Sequence, residues 1–212
     1  MTQTTTTVLA PTRRSSVRYR LALGRLLLIP IILLIVLSQP IYAEDSIVKH
    51  GLEIAGFLFL VASTIGRIWT AGYISGRKNS ELVQDGPYSI TRNPLYFFSF
   101  LGFVGAGLMM KSAVVAAALV GFFFLMHWTT ILMEERKLHN LFGDEFDAYC
   151  KVTPRFFPKL SNFRNPSELT IDPHVFTKAV LDSSLILLVV GVAECIQWAH
   201  DSGIVPVIMR LP

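Results

Sequence analysis

The chain has 212 residues, of which 52% are hydrophobic and only 16% are charged, whereas about 25% of residues are charged in an ordinary soluble domain. This composition excludes a typical soluble domain and predicts an integral membrane protein, all-α, built as one helical bundle. The net charge of +4 does not indicate nucleic-acid binding, because the basic residues flank apolar blocks. Cys150 and Cys195 lie in separate segments at no metal-ligand spacing, so we predict no metal site.

The chain begins with a polar, Thr-rich and then basic segment, residues 1–20. The apolar block behind it is too long for a secretory leader, so we predict a disordered cytoplasmic tail followed by a single transmembrane domain over 21–212. About five transmembrane helices are expected, since an apolar run of roughly 20 residues spans a bilayer. The apolar blocks are 21–43, 47–70, 94–110, 112–133 and 176–199.

The distribution of Lys and Arg predicts the orientation of these helices. Basic residues concentrate in the tail and in the two long connections, 71–93 and 134–175, while the other connections carry few. By the positive-inside rule the N-terminus and both long connections are cytoplasmic, and five spans place the C-terminus on the opposite side. The third and fourth blocks are joined by a link so short that they must form an antiparallel hairpin.

Capping signals predict where the helices around this hairpin begin and end. Asn93-Pro94 is typical of an N-cap followed by a first-turn proline, so we expect the third helix to start at Pro94 with the Asn93 side chain accepting from its free N–H groups. The fourth helix should extend past the membrane surface to Gly143. A short helix capped by Asp144 should follow, which makes a cytoplasmic helix-turn-helix.

Two polar groups at the cytoplasmic ends of this hairpin are candidates for chemistry. Arg92, beside a free helix N-terminus, suits a carboxylate or phosphate ligand. Glu134 and Glu135 suit an ammonium group or ribose hydroxyls. The hairpin should bring the two groups within roughly 10–20 Å, which predicts a site for a zwitterionic amino-acid group. Taken singly, Arg92 is also explained as a topological anchor, and the carboxylates as a solvated pair with Glu135 facing His139.

Two segments carry a family resemblance. They are "LVQDGPYSITRNPLYFFSFLGFVG", residues 82–105, and "EERKLHNLFGDEFDAYCKVTPRFFP", residues 134–158. With their Gly-Pro-Tyr turn, Arg-Asn-Pro triplet and Glu-Glu pair in this order, they resemble the isoprenylcysteine carboxyl methyltransferase and phospholipid N-methyltransferase superfamily. Arg67 is similar to an arginine that the family carries before the loop, so the resemblance covers about 67–158. Asn93 departs from the histidine usual in the carboxyl methyltransferases.

The resemblance implies S-adenosylmethionine as the cofactor, bound at the cytoplasmic face. It implies roles for individual residues: Val83, Gly86, Pro87 and Tyr88 on the adenine side; Arg92, Asn93 and Tyr96 at the methionine moiety; Glu134 and Glu135 at the amino group or ribose; Tyr149, Arg155 and Pro158 as a lid. Arg92, Tyr96 and Arg155 are the residues expected to act in catalysis, and the others to bind the cofactor.

The function implied is methyl transfer to a membrane-embedded or small hydrophobic substrate entering from the bilayer, either a lipid amine or a prenylcysteine-like carboxylate. The chain has to align the nucleophile and exclude water, and the rings of Tyr88, Tyr96 and Phe156 could stabilise a sulfonium or simply form an interfacial belt. Two alternatives remain open. Sterol reductases also place an Arg-Asn-Pro triplet near a nucleotide, which would make the chain an NADPH-dependent membrane reductase, and a non-catalytic scaffold could retain the same fold. His127 is expected to be a packed membrane histidine.

Overall fold

The computed structural model describes residues 13–42 and 46–212, and within the first helix it describes side chains from Gly24 onward. The helices are α1 (Arg13–Leu37), α2 (Ile47–Ile74), α3 (Pro87–Ile90), α4 (Pro94–Met109), α5 (Ala113–Phe142), α6 (Asp144–Val152), α7 (Pro173–Ser184) and α8 (Leu188–Asp201). The all-α prediction is confirmed. Helix α1 begins inside the segment predicted as a tail, and the rest of that tail lies outside the described residues.

Three helical segments are long and apolar enough to cross a membrane: α2, α5, and the rod in which α7 and α8 join through a 3₁₀ turn at Leu185–Leu187. Two shorter apolar helices, Gly24–Leu37 and α4, accompany them. Each of the five apolar blocks predicted from the sequence contains one of these helices, although the first block leaves the helix at Leu37 and continues into a strand at Ser38–Pro40. The chain has the character of an integral membrane protein.

Helices α2 and α4 approach each other closely because small residues face each other along their contact. A Cβ built on Gly105 would lie 2.9 Å from the carbonyl oxygen of Gly56, and one built on Gly56 would lie 2.7 Å from the backbone nitrogen of Met109. Such contacts leave room only for glycine and are typical of membrane helix pairs. The pair forms the frame on which the cytoplasmic end of α4 is positioned.

Helices α4 and α5 form the predicted tight hairpin. Lys111 takes a left-handed backbone conformation with φ of 56°, and the Ser112 hydroxyl accepts from the Val115 N–H at 3.3 Å, which caps α5. The two helices then enclose an aromatic cluster with the segment after α6. His127 belongs to this cluster: its ring stacks on Phe123 at 4.6 Å between centroids, and its Nδ1 lies 3.0 Å from the Phe123 carbonyl oxygen.

A short parallel sheet joins the C-terminal segment to the end of α1. Its strands, β1 (Ser38–Pro40) and β2 (Met209–Leu211), pair with Ser38 opposite Met209. No sequence pattern predicted this pairing, because each strand has only three residues. The sheet lies at the end of the bundle away from α3 and α6.

Candidate functional site

A cavity of about 250 Å³ lies where the connection after α2 meets α3, the start of α4, the end of α5 and α6. Its walls mix apolar, aromatic and charged side chains, the usual composition of a small-molecule site. The lining residues are Ile74, Lys78, Asn79, Glu81, Leu82, Val83, Tyr88, Arg92, Asn93, Pro94, Leu95, Tyr96, Glu134, Lys137, Leu138 and Tyr149.

The cavity brings together seven of the twelve residues that the family resemblance assigned to the site. These are Val83, Tyr88, Arg92, Asn93, Tyr96, Glu134 and Tyr149. The other five are outside the lining: Gly86, Pro87, Glu135, Arg155 and Pro158. The connection 71–93 and the α5–α6 corner thus meet in one place, although more than forty residues separate them along the chain.

Glu135 is the centre of a buried polar network behind the cavity wall. Its side chain is 9% exposed, and Oε1 accepts from Asn93 Nδ2 at 3.0 Å while Oε2 accepts from Arg155 Nε at 2.9 Å. The Nε of Arg92 lies 3.5 Å from Oε1. One carboxylate therefore faces two guanidinium groups and an amide. The predicted alternative, a solvated Glu135 facing His139, is wrong, because His139 instead pairs with Asp147 at 3.0 Å.

Asn93 marks the start of α4 but does not cap it with its side chain. Pro94 is the first helical residue, as predicted, yet the Asn93 side chain makes no capping hydrogen bond. Its amide nitrogen donates to Glu135 and to the carbonyl oxygen of Arg155, each at 3.0 Å. The expected cap is wrong because the Glu135 carboxylate and the Arg155 carbonyl both accept from the Asn93 amide nitrogen, which turns the side chain toward α5 and the segment after α6 instead of the first turn of α4. The predicted cap of α6, Asp144, is also wrong: the N-cap is Gly143, and Asp144 is the first helical residue.

Glu134 differs from its neighbour in both exposure and contacts. It is half-buried and lines the cavity. Within the part of the chain that the structure describes, its carboxylate has no hydrogen bond or ion pair. Consecutive residues on a helix point about 100° apart, so one carboxylate of the pair faces the cavity and the other faces the protein interior. Glu134 is thus available to a ligand.

Arg92 presents a largely buried cation to the same cavity. Its side chain is 12% exposed, its Nη1 contacts the thiol of Cys150, and its Nε is buried without a hydrogen bond among the described residues. Because Arg92 and Arg155 share the single Glu135 carboxylate, positive charge remains at the cavity wall, and this charge favours an anionic ligand. Arg92 and Glu134 together therefore give the cavity one cationic and one anionic group.

Two tyrosines remain protonated beside these charges. Burial, and secondarily the negative charge of Glu134, raises the pKa of the Tyr88 phenol well above its usual range. Burial also raises the pKa of Tyr149, and the Tyr149 hydroxyl donates to the Tyr88 carbonyl oxygen at 2.6 Å. This bond links α6 to α3 and closes one side of the cavity.

In the Gly-Pro-Tyr turn, Tyr88 lines the cavity, while Gly86 and Pro87 hold this wall in place without lining it. Gly86 has φ of 58°, and a Cβ there would lie 2.2 Å from the Tyr73 ring, so only glycine fits. The segment that follows α6 runs back across the turn: Gly86 N–H donates to the Arg164 carbonyl at 2.7 Å, and Lys159 N–H donates to the Ile90 carbonyl at 2.9 Å. The turn is therefore fixed by backbone hydrogen bonds from more than sixty residues away.

Sequence reasoning missed the outer wall of the cavity. Lys137 lies one turn after Glu134 on the same face of α5, and its Nζ donates to Asn79 Oδ1 at 2.6 Å. This bond links α5 to the connection after α2, where Lys78 and Glu81 also line the cavity. The i,i+3 spacing from Glu134 was a signal for Lys137. No sequence signal pointed to the loop residues, because their position depends on tertiary contacts.

The described residues hold no group of three or more His, Cys, Asp or Glu side chains placed to bind a metal ion. The family model for phospholipid methyltransferase matches residues 51–145. The nickel-cobalt-cadmium resistance protein NccN of Alcaligenes xylosoxydans xylosoxydans is 36% identical over 92% of this chain and 91% of that protein. The cobalt-zinc-cadmium resistance protein CzcN of Cupriavidus metallidurans is 41% identical over 74% of this chain and 72% of that protein. No solved structure matches the chain significantly.

Proposed function

Because the chain belongs to the phospholipid methyltransferase family, we propose that it transfers a methyl group from S-adenosylmethionine to a membrane-embedded or small hydrophobic acceptor. The observation that carries the proposal is the pair of opposite charges in one cavity. Glu134 offers a carboxylate without a partner among the described residues, and Arg92 offers a largely buried guanidinium that shares the Glu135 carboxylate with Arg155. The two suit the ammonium and carboxylate of an amino-acid moiety.

The residues present fit this cofactor. Glu134 would accept hydrogen bonds from the ammonium group or the ribose hydroxyls, and Arg92 would pair with the carboxylate. Val83 and Tyr88 supply apolar and aromatic surface for the adenine, with Gly86 and Pro87 shaping the turn behind them. Lys137, absent from the sequence-based proposal, joins the polar rim. When bound, S-adenosylmethionine would supply an electrophilic methyl group: the lone pair of the acceptor would bond to the methyl carbon in line with the C–S bond, whose electron pair leaves with S-adenosylhomocysteine.

Glu135 and Arg155 have an indirect role in this proposal. Neither lines the cavity, and each is engaged with the other at 2.9 Å. We assign Glu135 to positioning, since it fixes the amide of Asn93 and draws the guanidinium of Arg92 toward α5. Arg155 attaches the segment after α6 to the same carboxylate. A preorganised cation aligns its ligand without reorganisation during the reaction.

The acceptor would approach from the membrane side of the cavity. Ile74, Leu95 and Tyr96 form this side, at the ends of α2 and α4. Tyr96 and Tyr149 line the cavity, and their aromatic rings would stabilise a sulfonium placed over a ring face by cation–π contact. By the positive-inside rule we place the cavity on the cytoplasmic side, because both connections that build it are rich in Lys and Arg.

Binding of S-adenosylhomocysteine to the purified chain, measured by calorimetry, tests the proposal. We expect micromolar affinity that is lost in Glu134→Gln and unchanged in Glu168→Gln, an exposed carboxylate away from the cavity. Tight NADPH binding with no adenosylhomocysteine binding would favour a reductase and contradict the proposal. Transfer of radiolabelled methyl into a total lipid extract would then identify the acceptor.

The names of the two relatives suggest a setting for this reaction. Both names refer to resistance to cobalt and cadmium. We propose that methyl transfer to a membrane component by this chain contributes to such resistance. A host strain lacking the corresponding gene should regain growth on cadmium with the wild-type chain but not with Glu134→Gln. Equal growth with both versions, at equal amounts in the membrane, would separate resistance from methyl transfer.

A further inference from the structure

The segment that follows α6, residues 154–164, carries three large apolar side chains on its surface. Phe157 is 67% exposed, Leu160 is 74% exposed and Phe163 is 50% exposed. They belong to the connection 134–175, which the positive-inside rule assigned to the cytoplasm. A cluster of exposed apolar side chains marks an interaction surface. We call residues 154–164 the strap.

Ring contacts place the start of the strap at the depth of the membrane-spanning helices. The Phe156 ring lies 5.7 Å from the ring of Phe124 on α5, and the Phe157 ring lies 5.4 Å from that of Phe156, measured between centroids. Phe124 precedes Glu134, the first Asp, Glu, Lys or Arg of α5, by about 15 Å along the helix axis. Phe156 and Phe157 therefore lie well below the level at which α5 leaves the apolar part of the bilayer.

The end of the strap contacts a second membrane-spanning helix. The Phe163 ring lies 6.0 Å from the ring of Trp69, which stands more than one turn before Ile74, the last residue of α2. Both α2 and α5 are long and apolar enough to cross the membrane. The strap therefore runs from α5 to α2 beside the bundle, and the lipid that surrounds these helices would continue over its exposed side chains.

The backbone of the strap is hydrogen-bonded toward the protein. Three of its carbonyl oxygens accept from the turn before α4: Pro154 from the Arg92 N–H at 2.9 Å, Arg155 from Asn93 Nδ2 at 3.0 Å, and Phe156 from the Thr91 hydroxyl at 3.0 Å. The Lys159 N–H donates to the Ile90 carbonyl at 2.9 Å, and Pro158 has no N–H. Irregular backbone at membrane depth is tolerated only where the protein satisfies its polar groups. The strap meets this condition and turns apolar side chains outward.

The charges of the strap indicate lipid as the occupant of this surface. Lys159 is exposed between Phe157 and Leu160, and Arg164, 57% exposed, follows Phe163 directly. The strap contains no Asp or Glu. Long basic side chains extend from an apolar surface to the headgroup level, where they attract anionic lipids. A surface that is apolar with a basic rim therefore complements a membrane leaflet.

We propose that the strap inserts Phe157, Leu160 and Phe163 into the leaflet that borders the cavity and holds its two exposed basic residues among anionic headgroups. The strap is then a re-entrant part of the membrane domain and not a cytoplasmic loop. It also attaches the site to the bilayer, because the Arg155 Nε within the strap donates to Glu135 behind the cavity wall at 2.9 Å.

Hydroxyl-radical footprinting of the unmodified full chain, in nanodiscs of phosphatidylcholine and phosphatidylglycerol, tests the insertion by mass spectrometry. Leu141 is the matched control within the chain: it is the same residue type, 50% exposed, and lies two turns beyond Glu134 on the part of α5 outside the apolar block. Exposure in the protein alone predicts more oxidation at Leu160, which is 74% exposed, than at Leu141. We expect the reverse order, with Leu160 oxidised several-fold less because lipid covers it. Oxidation of Leu160 equal to or above that of Leu141 overturns the proposal.

Spin labels at two adjacent positions test the orientation of the strap. In a chain with Cys150→Ser and Cys195→Ser, a nitroxide is attached at Leu160→Cys or at Lys159→Cys and its collisions with oxygen and with a water-soluble nickel chelate are measured in the same nanodiscs. Oxygen should dominate at position 160, in the acyl chains, and the chelate at position 159, among the headgroups. Equal accessibility at both positions overturns the orientation. If the doubly substituted chain does not fold, the footprinting of the unmodified chain decides. Neither readout involves the cofactor, so this proposal and the proposed function fail separately.

Discussion

Replacing Glu135 by glutamine should disrupt the network that holds the cavity wall. The substitution keeps size and shape but leaves the guanidinium groups of Arg92 and Arg155 facing each other without a counter-ion. Removing one partner of a buried ion pair typically destabilises a protein by 3–5 kcal/mol. The Arg155 side chain is 42% exposed, so solvent screens part of its interaction with Glu135. We therefore expect the free energy of unfolding to decrease by about 3 kcal/mol. For a chain of this size, that corresponds to a decrease in Tm of roughly 6–12 °C.

A second substitution separates positioning from direct contact with the cofactor. In Glu135→Gln combined with Arg155→Gln, the repulsion between the two cations is gone, so the double variant should be more stable than the sum of the single changes predicts, by about 1 kcal/mol. Affinity for S-adenosylhomocysteine should recover in parallel, because Arg92 is no longer pushed away. A residue that touches the cofactor itself would show no such recovery.

The assay is thermal unfolding in detergent together with calorimetry, and Glu134→Gln is its matched control. Glu134 is the adjacent carboxylate on the same helix, but it is half-buried and without an ion pair among the described residues. The Glu134→Gln variant should therefore lose affinity for S-adenosylhomocysteine with little change in Tm. Strictly additive effects of the Glu135 and Arg155 substitutions, or an unchanged Tm in Glu135→Gln, would refute the positioning argument.

Three further predictions follow from single residues. Gly86→Ala should destabilise the chain by about 1–3 kcal/mol more than Gly143→Ala, because both have left-handed φ, of 58° and 51°, but only the first would meet a ring, that of Tyr73; equal Tm values would contradict this. The raised pKa of Tyr149 contributes stability that is present below about pH 10 and lost above it, so thermal scans up to pH 11 should show a shallower decline in Tyr149→Phe. Asn93→Ala should lower both Tm and turnover by removing two buried hydrogen bonds of its amide, about 1–3 kcal/mol in all, whereas a Tm equal to that of the wild type would show that solvent replaces them.

Local patterns in the sequence were enough to predict the helices. Apolar runs of bilayer length predicted the spans, and Pro94 and Gly143 predicted where α4 begins and α5 ends. The three-residue link at Met110 made the hairpin unavoidable. These features depend on interactions within a few residues, hydrogen bonding along one helix and burial of one apolar segment, so a single sequence contains the information.

The hairpin also made the composition of the site partly predictable. Once α4 and α5 are antiparallel, Arg92 and the Glu134–Glu135 pair must meet at the same end, and seven of the proposed residues do line one cavity. Helix geometry alone, however, could not predict which of two adjacent carboxylates faces the cavity. That choice depends on the rotation of α5 against α4, which is determined by packing across the bundle.

Only the tertiary structure decided the partners of the buried polar groups. Asn93 has the residue type and position of a helix cap, yet its amide donates to Glu135 and to the carbonyl of Arg155. Those acceptors lie 42 and 62 residues away, and a local pattern holds no information on them. The sequence alone therefore determined that a helix begins at Pro94, directly after Arg92 and Asn93. The folded chain determined that this start is fixed to a buried carboxylate, because burial makes an unpaired charge more costly than an uncapped N–H group.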